Sequence, residues 1–439
     1  MADVAALPIS GGTTQLSEKT VRKAVIACSI GQAFEVFDFL IFGFFAVYIG
    51  RNFFPSTDPL ASLLASLGAF GAGFLMRPLG AIVLGHLGDR IGRRNTLAIS
   101  IVMMAIATGL TGLLPTYAQI GLLAPVLLVL CRLVQGFSIG GEWGGAATFL
   151  AEHAPAGKRG LLGSFLTAAG NLSALVAIMM AGILNSLLSP EEMLAWGWRI
   201  PFLFGCLLGP VAYYLRSKVA ETPAFEAALA NKKVSSTPLR EAMGAYWGIM
   251  IAAACIAGLS GMLKYMFSVF LPSYASTTLG VAQSVALYTS AIGLAVSIVL
   301  TPLFGAYSDR VGRKTLLYVS AGLSLVLAFP LFLLLNQSPT QNALLLVQIV
   351  ANILVAMNIG VITAVLAEMF PTKVRFSTLS ISYAVSTIIF GGFAPFISTF
   401  LIKVTADPLA PAYFMMGTAI ISLVATVYIR LRPPSEALE

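Results

Sequence analysis

The chain has 439 residues, of which 58% are hydrophobic and only 10% charged, and it carries a net charge of +8. Soluble domains carry roughly 25% charged residues, and a soluble core does not absorb such an apolar excess. The positive balance would suggest nucleic acid in a soluble protein; here it reports membrane orientation, and no nucleic-acid partner is expected.

Residues 1–23 are polar and rich in Gly, Ser and Thr, with no signal-peptide pattern, so they read as a cytoplasmic tail before an uncleaved first span. Twelve apolar blocks follow, at 24–50, 60–86, 95–115, 119–149, 161–187, 199–216, 245–276, 282–306, 315–335, 342–367, 375–402 and 410–430. A membrane-spanning helix needs about 20 apolar residues. Only helices or closed barrels satisfy their backbone in lipid, and blocks this long are not the ten-residue strands of a barrel. The predicted fold is an all-α membrane protein of twelve transmembrane helices. Its parts are a six-helix half over 24–216, a central loop over 217–244, a second half over 245–430 and a tail over 431–439. Cys28, Cys131, Cys206 and Cys255 lie far apart inside apolar blocks and read as small buried hydrophobes; no metal or other cofactor is expected.

Orientation follows from charge. Of the 26 Lys and Arg, three lie within spans; Arg51, Arg199 and Lys403 fall on one side, and the remaining twenty on the other. The positive-inside rule then puts both termini and the central loop in the cytoplasm.

Two motifs repeat. "LGHLGDRIGRRNTL" (84–97) returns as "FGAYSDRVGRKTLL" (304–317), displaced by 220 residues, and "LAEHAPAGKR" (150–159) returns as "LAEMFPTKVR" (366–375), displaced by 216. Two motifs at nearly one offset imply two related halves with a site between them, the usual plan of secondary transporters. In each repeat an Asp is placed to accept from helix N-termini, and Arg to donate to the last carbonyls of neighbouring helices. Asp89, Arg90, Arg93, Glu152 and Arg159, with Asp309, Arg310, Arg313, Glu368 and Arg375, therefore read as a breakable latch on the cytoplasmic face rather than topology anchors alone.

The pattern G-x-x-x-D-R-x-G-R-[RK], present twice, resembles the major facilitator superfamily. "FLMRPLG" (74–80), "RLVQGFSIGGE" (132–142), "WGWRIPF" (196–202), "ETPAF" (221–225) and "FGGFAPFIS" (390–398) together resemble its metabolite:proton symporter family, and within it the citrate and tricarballylate symporters most. The likeness runs from about residue 24 to 430. The family usually reads G-N-x-x-E-W-F-D in its first helix; here Gln32 replaces Asn, and Val36 replaces the aromatic.

Six ionisable residues lie within spans: Glu35, Asp38, Arg77, Arg132, Glu142 and Lys264. Each costs about a few kcal/mol at the bilayer centre even on the lenient insertion scale, so they are expected to face a cavity or one another. Glu35 and Asp38, three apart, are expected on one helical face, close enough that both are not ionised together. The resemblance implies that this pair serves proton coupling, without saying which acid carries the proton; pairing with Arg132 or Arg77 is the other role open to Glu35. Arg132 offers a fork for a substrate carboxylate, or pairs with one of the acids. Lys264 with Tyr265 is a candidate second anchor; the alternative is that it snorkels to the outer interface. Arg77 is read as a gating or structural residue, and Glu142 as a member of the latch. In the superfamily fold, spans 1, 4, 7 and 10 line the cavity. Gln135, Asn171, Gln348, Asn352 and Tyr383 join the substrate-binding candidates on that basis and as buried polar groups.

The expected function is import of a small organic acid, a di- or tricarboxylate such as citrate, with a proton, by a monomer in a bacterial inner membrane. A zwitterion such as a betaine, or an aromatic or monocarboxylic acid, is the alternative; quaternary ammonium favours aromatic cages, and Val36 removes one aromatic. A transporter-fold sensor is a third class. No Walker-type phosphate loop or metal-ligand cluster supports an enzyme, and His86 and His153 lie in or beside the repeated loops.

Overall fold

The computed structural model describes residues 18–91, 93–140, 142–155, 157–217, 246–371 and 374–429. The tails and the central loop predicted over 217–244 fall almost wholly outside these. Every regular element among the described residues is helical. In chain order they are α1 (Glu18–Phe44), α2 (Ala46–Phe53), α3 (Pro59–Leu75), α4 (Arg77–Ile91), α5 (Arg93–Leu113), α6 (Tyr117–Ile120), α7 (Leu123–Ile139), α8 (Glu142–His153), α9 (Arg159–Leu187), α10 (Pro190–Ala195) and α11 (Ile200–Ser217). Then come α12 (Trp247–Tyr265), a π turn (Met266–Phe270), α13 (Leu271–Thr277), α14 (Gln283–Val311), α15 (Arg313–Gln337), α16 (Gln341–Glu368), α17 (Arg375–Ser386), a second π turn (Thr387–Gly392), α18 (Ala394–Thr405) and α19 (Ala410–Tyr428).

Among the described residues, nine helices are long and apolar enough to cross a membrane. They become ten if the first span, bent by 60° between Phe44 and Ala46, is counted as one. The third and sixth predicted spans coincide with α5 and α11, which pack together but lie outside that count. The break at Met76 precedes Pro78, which lacks the N–H that would continue the ladder. Arg199, from a single 3₁₀ turn, ends α5 by donating to the carbonyls of Gly112 (2.8 Å) and Leu114 (2.7 Å).

Apolar helices in lipid associate by close packing and polar contacts, because burial against lipid gives no hydrophobic gain. The most extensive packing joins α9 to α14, one from each repeat, along their whole lengths. Gly160 and Gly305 touch at one end, Asn171 donates to Ser297 Oγ (3.0 Å) midway, and Ser186 meets Tyr288 (3.3 Å) at the other end. A second seam runs from α3 and α8 to α17, the second π turn and α18, with Phe393 against Gly71 and Phe74 against Gly392. It ends on Lys403, which donates to Asp58 Oδ2 at 2.8 Å. With both seams closed along their length, the conformation is occluded.

Within the first repeat, α3 and α7 cross at Gly136. A Cβ there would lie 1.5 Å from the carbonyl oxygen of Gly73, and backbone has nowhere to move. Gly136→Ala is expected to separate the helices and cost about 1–3 kcal/mol. Gly417→Ala on α19, with no atom within 4 Å of the added carbon, serves as the control and leaves stability level or slightly higher. Thermal unfolding in detergent distinguishes the two.

The Asp58–Lys403 pair has a pH signature. The Lys403 ammonium holds the Asp58 carboxyl below its ordinary value of 3.8. A depressed carboxylate contributes above its unfolded pKa, and the contribution is lost as pH falls through the folded value. The stability difference between wild type and Lys403→Met should therefore be constant from about pH 8 to 5 and shrink as pH falls below 3.8 and through the folded value, read by thermal unfolding at each pH.

Candidate functional site

Glu35 and Asp38 sit on α1 among buried phenylalanines, and both are almost wholly excluded from solvent. Three residues turn a helix by about 300°, so their side chains diverge by about 60°. That angle is enough to give them different partners. Glu35 faces the space between the two repeats; Asp38 faces the interior of the first repeat.

The space beside Glu35 has two adjoining lobes that share Glu35, Arg77, Trp143 and Tyr383. The first continues past Ile139 and Ser380; the second is closed by Gln32, Phe39, Lys264 and Tyr265. It has room for about one or two waters, as suits an occluded state. Arg77 Nη2 stands 4.0 Å from Glu35 Oε1, and its guanidinium lies over the rings of Phe74 (4.2 Å) and Phe39 (4.8 Å). Lys264, from α12, sits 5.9 Å from the centre of the Tyr265 ring and within the field of Glu35 and Arg77. One carboxylate thus faces two cations. At the end nearer the repeated loops the space is floored by Trp143 of α8 stacked on Tyr383 of α17, centroids 3.6 Å apart and planes 14° from parallel.

Asp38 ends a chain of hydrogen bonds. Thr108 Oγ1 of α5 donates to Asp38 Oδ2 (3.0 Å), Gln135 Nε2 donates to Thr108 Oγ1 (2.7 Å), and Arg132 Nη1 donates to Gln135 Oε1 (2.8 Å). Arg132 is completely buried, with Phe39 (3.9 Å) and Phe42 (4.6 Å) against its guanidinium. Buried guanidinium is tolerated on aromatic faces because the ring quadrupole attracts the cation.

Of the substrate-binding candidates, the structure therefore brings Lys264, Tyr265 and Tyr383 to the cavity, together with Glu35 and with Arg77, which the sequence suggests as a gate. Arg132 and Gln135 stand one layer behind Phe39. Asn171 spends its amide on Ser297 in the α9–α14 seam. Gln348 donates to the carbonyl of Phe267 (3.0 Å), which the first π turn leaves free, and to Ser290. Asn352 donates to Gln348. These three are placed in helix packing and line neither lobe. Gln32 joins the cavity unannounced as a ligand candidate, although it lies one turn before Glu35 and shares its face; Trp143, an aromatic that the sequence leaves available for a quaternary ammonium, lines it as well. Thr108 carries no signal in the sequence beyond being one hydroxyl in an apolar block.

At the end carrying the repeated loops, Asp309 accepts from the backbone N–H of Gly160 and of Leu161, each at 2.9 Å, at the first turn of α9. Arg313 bridges Asp309 (2.7 Å) and Glu368 (3.2 Å), and Arg159 reaches Glu368 at 3.8 Å. Arg375 donates through Nε to the carbonyls of Ala367 (2.9 Å) and Phe370 (3.1 Å) at the end of α16. Arg310 is exposed, and Glu142 is buried at the start of α8. The side chains of Asp89, Arg90, Arg93 and Glu152 lie outside the described residues. Among the described residues no group of His, Cys, Asp and Glu is arranged to hold a metal ion.

Comparison with known proteins agrees with this architecture. The family model described as Major Facilitator Superfamily matches residues 28–340 and 253–439. The chain is 38% identical over 412 residues to a citrate-proton symporter of Klebsiella pneumoniae, covering 93% of this chain and 92% of that one. It is 34% identical over 432 residues to a proline/betaine transporter of Salmonella typhimurium, covering 95% and 85%. The solved structure of the proton:xylose symporter XylE bound to 6-bromo-6-deoxy-D-glucose superposes with a TM-score of 0.76 at 17% identity, over 96% of this chain and 98% of that one, a likeness of fold. The repeated motifs, the paired helical seams and these matches agree: the chain belongs to the major facilitator superfamily.

Proposed function

We propose that this chain is a proton-coupled symporter that imports a small organic anion, a di- or tricarboxylate of the citrate type, by alternating access. The observation that carries this reading is the charge of the cavity. Arg77 and Lys264 face it against the single carboxylate of Glu35, and Arg132 stands one layer behind. An anion entering there meets two donors of charge-assisted hydrogen bonds and balances cations that are otherwise costly in the membrane. The 38% identity to a citrate-proton symporter supports the same class.

Asp38 takes the proton and Glu35 shares the substrate's cations in this scheme. Asp38 accepts one hydrogen bond from Thr108 and is reached by the field of Arg132, so its charge state and the Arg132 network depend on each other. Twelve spans arranged as two six-helix halves, termini in the cytoplasm and a bacterial inner membrane complete the reading, with one chain holding the whole site. The loop contacts around Asp309 then close the cytoplasmic face.

A second reading has its own support. Trp143 stacked on Tyr383, with Tyr265 and Glu35 nearby, offers the aromatic faces and the carboxylate that a quaternary ammonium favours, and a proline/betaine transporter matches at 34% identity. Isothermal titration with citrate, tricarballylate, succinate, acetate, glycine betaine and proline separates the two; betaine binding without citrate binding overturns the anion.

For the anion, Lys264→Met should weaken citrate about ten- to a hundredfold while changing acetate little, the value of one buried charge-assisted contact. Asp38→Asn fixes a neutral side chain; it is expected to lose proton-driven accumulation in proteoliposomes yet keep counterflow. Glu35→Gln should lower thermal stability more than Asp38→Asn does, because Arg77 and Lys264 lose their counter-charge. Full proton-driven uptake by both variants would remove the two acids from coupling.

Orientation is tested separately. A reporter fused after Glu439 or inserted near Asn231 should be cytoplasmic, and one near Pro190 external. An external C-terminus would reverse the assignment.

A further inference from the structure

The two oxygens of Asp38 are not equivalent. Oδ2 accepts from Thr108. Oδ1 is buried with no hydrogen-bond partner, and it points at α11, where a Cβ on residue 205 would stand 2.6 Å away. Glycine at 205 is what leaves that oxygen its space. Around Asp38, α5 contributes Thr108, α11 contributes Gly205, and the charged group is Arg132 of α7, reached through Gln135. Glu35, Arg77 and Lys264 face the cavity between the repeats, which Glu35 reaches from about 60° around α1 from Asp38.

We infer that Thr108 is the positioning residue of the proton site: it ties Asp38 Oδ2 to the Arg132–Gln135 chain and reserves Oδ1 for the transported proton. The inference rests on the reading of Asp38 as the proton carrier and names what makes it one. A threonine hydroxyl has one proton and two lone pairs. Here the proton goes to Asp38, and a lone pair receives the Gln135 amide. The Gln135 amide is fixed in turn, since its oxygen must face the Arg132 guanidinium and its nitrogen must face Thr108. Every donor in the chain therefore points from Arg132 toward Asp38.

That polarity has a consequence for the cycle. When a proton from water bonds to Oδ1, Oδ2 changes from a carboxylate oxygen to the carbonyl oxygen of an acid. Thr108 still donates to it, so the chain stays connected, but the bond is no longer charge-assisted and weakens. The loss is felt at Gln135 and then at Arg132, the cation behind Phe39. On deprotonation the proton returns to water and the stronger chain re-forms. A valine at 108 keeps the volume and breaks this link; a serine keeps it.

The test reads the Asp38 proton directly and does not depend on the substrate. Infrared difference spectra of the reconstituted full-length protein are recorded against pH, and the carboxylic C=O band absent from Asp38→Asn is assigned to Asp38. Thr108→Val removes a donor from the ionised form, so this band should titrate about one pH unit higher than in wild type, the size of one hydrogen bond to a charge. Thr108→Ser should restore the wild-type midpoint and band position. An unshifted midpoint in Thr108→Val overturns the inference while leaving Asp38 as the carrier. A wild-type spectrum with no titrating band that Asp38→Asn removes overturns the carrier role, and the inference with it. Should Thr108→Val not reconstitute, Thr108→Ala takes its place, and failure of both hydroxyl-free variants makes the residue structural and overturns the inference.

Discussion

A charge in the middle of a bilayer is costly, and this protein holds Arg77, Arg132 and Lys264 there with Glu35 and Asp38. None is offered to lipid. Arg77 and Arg132 rest on phenylalanine rings, Asp38 takes a threonine hydroxyl, and Glu35 and Lys264 share a cavity with Arg77. The bundle is arranged around that constraint. The α3–α7 crossing at Gly136 brings Phe70 and Phe74 of α3 beside Arg132 and Arg77, and the first π turn follows directly on Lys264 and Tyr265. Small residues at the crossings and aromatic residues at the cations are two parts of one solution.

The all-helical class was legible because lipid leaves the backbone few options and blocks this long are not barrel strands; the breaks at Phe45 and Met76, which divide two of those blocks, were not. In the second repeat the placement of two loop residues follows their type: Asp309 accepts at the start of one helix and Arg375 donates at the end of another. Partners were not legible. Asn171, Gln348 and Asn352 have the composition of ligand-binding residues, yet their amides go to Ser297, to the carbonyl freed by a π turn, and to each other. A π turn is a change of register set by tertiary packing, and no local residue pattern announces it. The same holds for the 60° by which Glu35 and Asp38 part: spacing places them near one face, and only the neighbours show that the face divides between them.

Lys264 illustrates the reverse case. Its type alone, a lysine within an apolar block, marks it without any motif, because a cation in that setting needs a compensating partner. Thr108 is the opposite extreme, a residue that is inexpensive to bury, common in membrane helices, and informative only once its donor and acceptor are known. Sequence reads the residues that are costly to bury; structure is needed for those that make the burial tolerable.

The two ends of the bundle are held by contacts of different strength. At the loop-bearing end, Asp309, Arg313 and Glu368 are buried, and the Asp309 carboxylate takes two backbone N–H groups at the first turn of α9, where the helix dipole favours a negative charge. At the opposite end, the ionic contact between α3 and α18 is one pair with side chains 47% and 41% exposed. A surface pair of that kind is screened by water and contributes little, whereas hydrogen bonds to buried charged groups contribute more. The occluded bundle is therefore held more firmly at its loop-bearing end and opens at less cost at the other. If the loops face the cytoplasm, as proposed, that bias favours the outward-open state when the cavity is empty, which is the state the proposed importer needs in order to meet its substrate.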